Sequence, residues 1–185
     1  MDPVDAAFQA VPRTGFLRRR DRFRAAYDGP ISIGHGATCS QPRTVEQMLR
    51  LLDVQSGMAV LDVGAGSGWT TALLAELTGP AGLVIGVEIE PQLAEWGAAN
   101  LSRFGHRWAS LVAAEPGVLG RPDAAPYDRI LVSADASELP PALLEQLADP
   151  GRMVLPVRST MTLVERAGGE PVVSQHGSYR FVPLL

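Results

Sequence analysis

Between residues 58 and 157, apolar runs too short to be helices alternate with segments of helical period, and this alternation constrains the chain more than any other feature. "MAVLDVGAG", "GLVIGVEIE", "ASLVAA", "YDRILVSAD" and "RMVLPV" read as buried strands. "WTTALLAELTG" is helical and stops at Gly79-Pro80; "PQLAEWGAANLSRFG" is helical, with Pro91 in its first turn and Gly105 at its end. "PPALLEQLADPG" reads as a helix before the fifth strand, and a further helix spans 44–53 ahead of the first. Near-continuous apolar strands alternating with helices predict an α/β, Rossmann-like fold: a mostly parallel twisted sheet with helices on both faces. The tail departs from this pattern. "TLVERAGGEPVVSQ" reads as two strands joined at Gly168-Gly169, and "SYRFVPLL" closes an antiparallel C-terminal addition. At 185 residues one domain is expected over 1–185, with 1–42 an irregular or weakly helical N-terminal segment and active-site loop and 43–185 the core.

The turn after the first strand narrows the ligand. "LDVGAGSGW" sets Gly64, Gly66 and Gly68 at alternate positions between strand and helix, where backbone can approach a ligand and a helix N-terminus points at it. Dinucleotide folds space their glycines G-x-G-x-x-G; here Trp69 follows Gly68, so the third glycine comes one place early. A phosphate loop needs G-K-[ST], and all sixteen basic residues are arginine. The absence of lysine also removes Schiff-base and lysine-base chemistry. Asp62 ahead of the glycines can sit near an ammonium group, and Glu88 at the end of the second strand can accept from two ribose hydroxyls. Glycine turn, Asp62 and Glu88 in one β-α-β frame point to S-adenosylmethionine.

Other classes are disfavoured. The net charge is −4, which leaves no nucleic-acid footprint, and the one basic run, "RRRDRFR" at 18–24, is either a solvated helix face or a grip on an acidic substrate. The single Cys39 and the scattered His35, His106 and His176 offer no disulfide and no metal site. No stretch has membrane-spanning length or signal-peptide character, so a cytoplasmic protein is expected.

"VPRTGF", "AYDGPISIGHGATCSQP", "VLDVGAGSGWTTALLA", "APYDRILVSAD", "LPPALLEQLADPGRMVLPV" and "YRFVPL" follow one another as in the protein-L-isoaspartate (D-aspartate) O-methyltransferases, and the chain resembles that family over about 11–184. The resemblance implies methyl transfer from S-adenosylmethionine to the free carboxylate of an isoaspartyl or D-aspartyl residue of a protein or peptide. The resulting ester then closes to a succinimide unaided. It places "GATCSQP", which shows no apolar periodicity of its own, over the methionine end of the cofactor, with Ser40 as the active-site serine. Cofactor contacts are implied at Ala37, Thr38, Cys39 and Ser40, at Asp62, Gly64, Gly66 and Gly68, at Glu88 and Ile89, and at Glu115 or Pro116. A bland alternative for Ser40 is a cap of the 44–53 helix, for which Thr44 with Gln47 is better placed.

A carboxylate acceptor with a pKa of roughly 3.9 needs no general base at neutral pH, so positioning and desolvation should carry the rate. A Ser-His-Asp arrangement with His35 lacks the G-x-S-x-G elbow. The chain also departs from the family pattern. "AAEPGVLG" replaces a G-D-G whose Asp approaches adenine, Asp135 replaces a small residue in "VSADAS", Arg43 follows the loop proline, and "VRSTMTLV" lacks a Gln. Asp135 is either a negative charge beside the acceptor or a solvated loop carboxylate. A dedicated peptide-tailoring methyltransferase and a non-catalytic S-adenosylmethionine-binding relative are the alternatives.

Overall fold

The computed structural model describes residues 2–185. Its centre is a seven-stranded sheet formed by β3 (Ala59–Val63), β4 (Leu83–Glu88), β5 (Ala109–Ala113), β6 (Tyr127–Val132), β7 (Leu147–Val157), β8 (Thr160–Arg166) and β9 (Val172–Ser178). The order is β5-β4-β3-β6-β7-β8-β9; β3 to β7 pair in parallel, and β8 pairs antiparallel with both β7 and β9. The expected parallel sheet with an antiparallel C-terminal addition is therefore present. The chain steps outward from β3 to β4 and β5, then returns to the other side of β3 as β6. That reversal opens a crevice above the carboxyl ends of β3 and β6, the place where open α/β sheets bind ligands.

Alternate residues of each strand bury opposite faces. Val60, Val84, Leu131 and Val154 pack under α1 (Pro3–Ala10), α2 (Pro42–Leu52), α3 (Trp69–Thr78) and α4 (Pro91–Ser102), whereas Leu61, Val63, Val132 and Met153 pack with Leu143 of the short α5 (Pro141–Gln146). The N-terminal segment is more ordered than its sequence indicates. It holds α1, 3-10 turns at Arg13–Phe16 and Arg19–Arg24, and an antiparallel hairpin of β1 (Ile31–Gly34) and β2 (Ala37–Cys39).

Three expectations need correction. Residues 33–42 were expected to carry no strand, yet they supply most of the β1–β2 hairpin, which turns at His35-Gly36 with positive φ at both. Its buried apolar residues are only Ile31, Ile33 and Cys39, too few for alternation to register in the sequence. Helix α2 starts at Pro42, not at 44: proline is preorganised for the first helical position, so Thr44 is a buried first-turn residue donating to Gln41 Oε1 at 3.2 Å and not a cap. The helix read through 140–151 ends at Gln146, and Leu147 already pairs with Tyr127. Pro150 lacks the N–H a helix would use and pushes Asp149 toward extended backbone.

Candidate active site

The glycine turn is held in place by α4. A side chain at Gly97 would put its Cβ 2.6 Å from the Gly66 carbonyl oxygen, and one at Gly68 would lie 2.8 Å from the Gly97 oxygen. Asn100 donates to the Ser67 carbonyl at 3.0 Å. Two glycines thus bring α4 against the turn, with positive φ at Gly64, Gly66 and Gly68. The Gly64 and Ala65 amides donate to the Val87 carbonyl at 2.9 and 3.1 Å, extending the β3–β4 ladder into the loop.

Glu88 closes the other side of this turn. It is buried, and its carboxylate accepts the Gly66 amide at 2.8 Å and the Glu90 amide at 3.0 Å. With one hydrogen bond on each oxygen, lone pairs remain for a ligand hydroxyl. Next to it Ile89 is 57% exposed, an apolar side chain standing free at the mouth of the crevice.

Asp62 has no exposed surface. One oxygen accepts the Thr70 and Thr71 hydroxyls, each at 2.7 Å, while Oδ1 has no partner. Burial pushes its carboxyl up to about 6; the two threonines oppose that shift and the nearby Glu88 adds to it. Asp62 is thus a buried carboxylate near the end of β3, just before the glycine turn, with one oxygen unpartnered among the described residues.

The β1–β2 hairpin roofs the turn. The Ile33 side chain lies 3.3 Å from where a Cβ on Gly66 would be, and at the tip His35 Nδ1 stands 3.7 Å from Glu90 Oε2. Ala37, Thr38, Cys39 and Ser40 are thus carried over the crevice. Cys39 is buried; burial raises its thiol pKa, and Arg13 and Ser67 pull it back. Ser40 is half-buried at the end of β2.

Arg13 sets the base of this roof, and sequence reasoning missed its role. Its guanidinium is buried and donates to the carbonyls of Tyr27 at 2.9 Å and of Gly29, Cys39 and Ser40 at 2.8 Å each. It also lies 5.5 Å from the Trp69 ring at the start of α3. The signal for Arg13 was its place in "VPRTGF"; for the packing of α4 on the turn it was Gly97, since a glycine within a helix costs about 1 kcal/mol and calls for a packing reason.

The remaining candidates lie outside this cluster. Glu115 is exposed and its Oε1 pairs with Arg121 Nη1 at 3.5 Å; Pro116 beside it is exposed. Asp135 is not a freely solvated carboxylate, and it lies just past β6, at the carboxyl end of the sheet where the crevice opens. It accepts the Ser159 amide at 2.9 Å and the Ser159 hydroxyl at 3.1 Å, and its backbone pairs with Val182 and Leu184. It fastens the β7–β8 turn and the C-terminal residues to the end of β6.

Comparison with known proteins agrees with this geometry. The family model described as protein-L-isoaspartate(D-aspartate) O-methyltransferase matches residues 1–185. A protein-L-isoaspartate O-methyltransferase of Methanocella arvoryzae is 42% identical over 178 residues, covering 95% of this chain and 94% of its own length. One from Methanopyrus kandleri is 44% identical over 187 residues, covering 98% and 83%. A solved protein-L-isoaspartate O-methyltransferase superposes with a TM-score of 0.89 at 26% identity, covering all of this chain, which spans 61% of that one. A putative Plasmodium falciparum enzyme of the same name, in complex with S-adenosyl-L-homocysteine, gives 0.85 at 26% identity, covering 100% of this chain and 91% of its own.

Proposed function

The chain belongs to the protein-L-isoaspartate (D-aspartate) O-methyltransferase family, and from that premise we propose that it methylates the side-chain or main-chain carboxylate of isoaspartyl or D-aspartyl residues in cytoplasmic proteins and peptides. The observation that carries this reading is the convergence of the glycine turn and Glu88 under a hairpin that ends in Ser40. S-adenosylmethionine, when bound, supplies an electrophilic methyl on a sulfonium. The residues fit it: Gly64, Gly66 and Gly68 present bare backbone, with the Ile33 side chain covering Gly66, Glu88 keeps free lone pairs, and the orphaned Asp62 Oδ1 lies behind the turn as uncompensated buried polarity suited to a cationic ligand.

The chain's own part is placement. The hairpin covers the glycine turn and keeps water from it. Arg13 holds the Cys39 and Ser40 carbonyls, and the half-buried Ser40 hydroxyl is the group that would orient the incoming carboxylate by a hydrogen bond. That carboxylate arrives ionised, with a reference pKa of roughly 3.9, and no residue has to remove a proton from it. Ser40 is therefore an orienting donor and not a nucleophile, and His35, turned toward Glu90, takes no part in proton transfer. Ile89 offers an apolar surface for the adenine, and Glu115 reaches it only by leaving Arg121.

The test is incubation of the protein and S-adenosylmethionine with matched isoaspartyl, D-aspartyl and normal aspartyl peptides, read by mass. The expected product is a methyl ester on the first two, lost at mildly alkaline pH with succinimide formation. A base-stable methyl product, or equal methylation of normal aspartate, would sink the assignment.

A further inference from the structure

The reading above leaves the "RRRDRFR" run without a role, and its placement is specific. The 3-10 turn Arg19–Arg24 has no buried residue, so it adds nothing to the core. Phe23 is 85% exposed, which no packing requirement explains. Yet the segment is fixed at both ends against the active-site hairpin. At one end Arg18 donates from Nε to the Ile33 carbonyl of β1 at 3.1 Å and lays its guanidinium 3.7 Å from the Trp96 ring centre. At the other, the chain just beyond it is gripped at Tyr27 and Gly29 by Arg13, which also holds the Cys39 and Ser40 carbonyls.

The charge of this border is inverted relative to the rest. Residues 18–24 carry five arginines and one aspartate in a chain of net charge −4. Asp21 is already shared by Arg20 at 3.3 Å and Arg24 at 3.6 Å. Arg19 and Arg22 are exposed and, among the described residues, have no carboxylate within salt-bridge distance. Beside the segment a cleft of about 420 Å³ lies between Ala25-Ala26 and Pro42-Arg43; its carboxylates Asp28 and Glu46 are paired with Arg43 and Arg50, and it gives an extended chain room for an uncharged side chain.

We propose that Arg18–Arg24, with Phe23, is a docking surface for acidic stretches of the polypeptide that flank the methylated residue. This rests on the carboxyl methyltransferase reading. The surface would select acidic neighbourhoods and steer them onto the hairpin. Exposed charges act within a Debye length of roughly 8 Å at physiological salt, so the effect falls as salt is raised.

The experiment compares two isoaspartyl peptides identical except for three flanking residues, Glu in one and Gln in the other. They are assayed with the full chain and with an Arg19→Gln/Arg20→Gln/Arg22→Gln variant. The expected result is a KM lower by about five- to tenfold for the Glu peptide, the size of three exposed ion pairs, shrinking at high salt and absent in the variant. Equal KM values for the two peptides on the parent chain, or a preference that survives in the variant, overturns the proposal. A second arm measures anisotropy of a labelled Glu-rich peptide with no isoaspartyl residue. Variant-sensitive binding there supports the surface even if no peptide is turned over, in which case only the methyltransferase reading fails. Tighter binding of a duplex DNA of equal charge than of the acidic peptide overturns it in favour of nucleic acid.

Discussion

The cofactor side and the acceptor side of the crevice are built on different principles. The cofactor side is backbone against backbone: the glycine turn runs on from the β3–β4 ladder, is pressed by Gly97, and takes its one internal carboxylate bond from Glu88. The acceptor side is a short hairpin whose base hangs on one guanidinium and whose tip reaches across to a half-exposed Glu90. The first is a property of the fold and can be shared by proteins with many acceptors. The second depends on a few long side chains, so specificity can change there without disturbing the sheet.

Removing Arg13 tests this division most severely. Arg13→Ala strands the carbonyls of Gly29, Cys39 and Ser40, and hydrogen bonds to a charged group are each worth about 1.5–3 kcal/mol, so with partial rescue by water the loss should be roughly 3–5 kcal/mol. Denaturant unfolding measures it. If the two sides are separable, kcat/KM on an isoaspartyl peptide falls further than affinity for S-adenosylhomocysteine; equal losses would merge the two sides.

Asp62 sharpens the contrast from the cofactor side. Its folded-state pKa is raised from 3.8 to about 6, so the native state holds the proton more tightly than the unfolded chain. The corresponding stability is fully present below pH about 4 and is lost as pH rises through about 6. The total is about 3 kcal/mol at 1.36 kcal/mol per unit. Unfolding free energies between pH 4 and 7.5 should show this decline, and Asp62→Asn should flatten it.

A smaller effect is expected of Gly97→Ala. The added methyl meets the Gly66 oxygen and pushes the turn away from α4. Calorimetry should find S-adenosylhomocysteine bound about ten- to a hundredfold more weakly, or ~1.4–2.7 kcal/mol. Peptide KM at saturating cofactor should move little. The smallest change is expected of Asp135→Ala, which loses exposed contacts to Ser159 and should cost about 0.5–1.5 kcal/mol without altering peptide KM. A KM shift there would place Asp135 in the acceptor pocket.

The same division explains what the sequence disclosed. The strands, the helices α3 and α4, the glycine turn and Glu88 all rest on periodicity and spacing, and they were legible. The hairpin was not, because two buried isoleucines and a cysteine make no pattern, and what holds it comes from Arg13, far away in the chain. Thr44 misled because a proline two residues earlier can start a helix without any cap. The partner of Asp135 was not legible because Ser159 lies in a turn that only the antiparallel β7–β8 pairing brings near.

The roof formed by β1 and β2 has a consequence for the timing of a catalytic cycle. Its base is fixed by Arg13, and toward the tip it is held by Ile33 resting on Gly66, by Arg18 Nε donating to the Ile33 carbonyl at 3.1 Å and by the solvent-facing His35–Glu90 contact. Lifting the tip would break these contacts and leave the sheet and the Arg13 clamp in place. A ligand beneath the roof would need such lifting to enter and leave, whereas a polypeptide would meet the outer face. The expected order of events is then the methyl donor first and the polypeptide second, with the esterified polypeptide departing before the spent donor. On a good acceptor the final departure is then expected to set the speed of the cycle. Inhibition by spent donor should be competitive with the donor and not with the polypeptide.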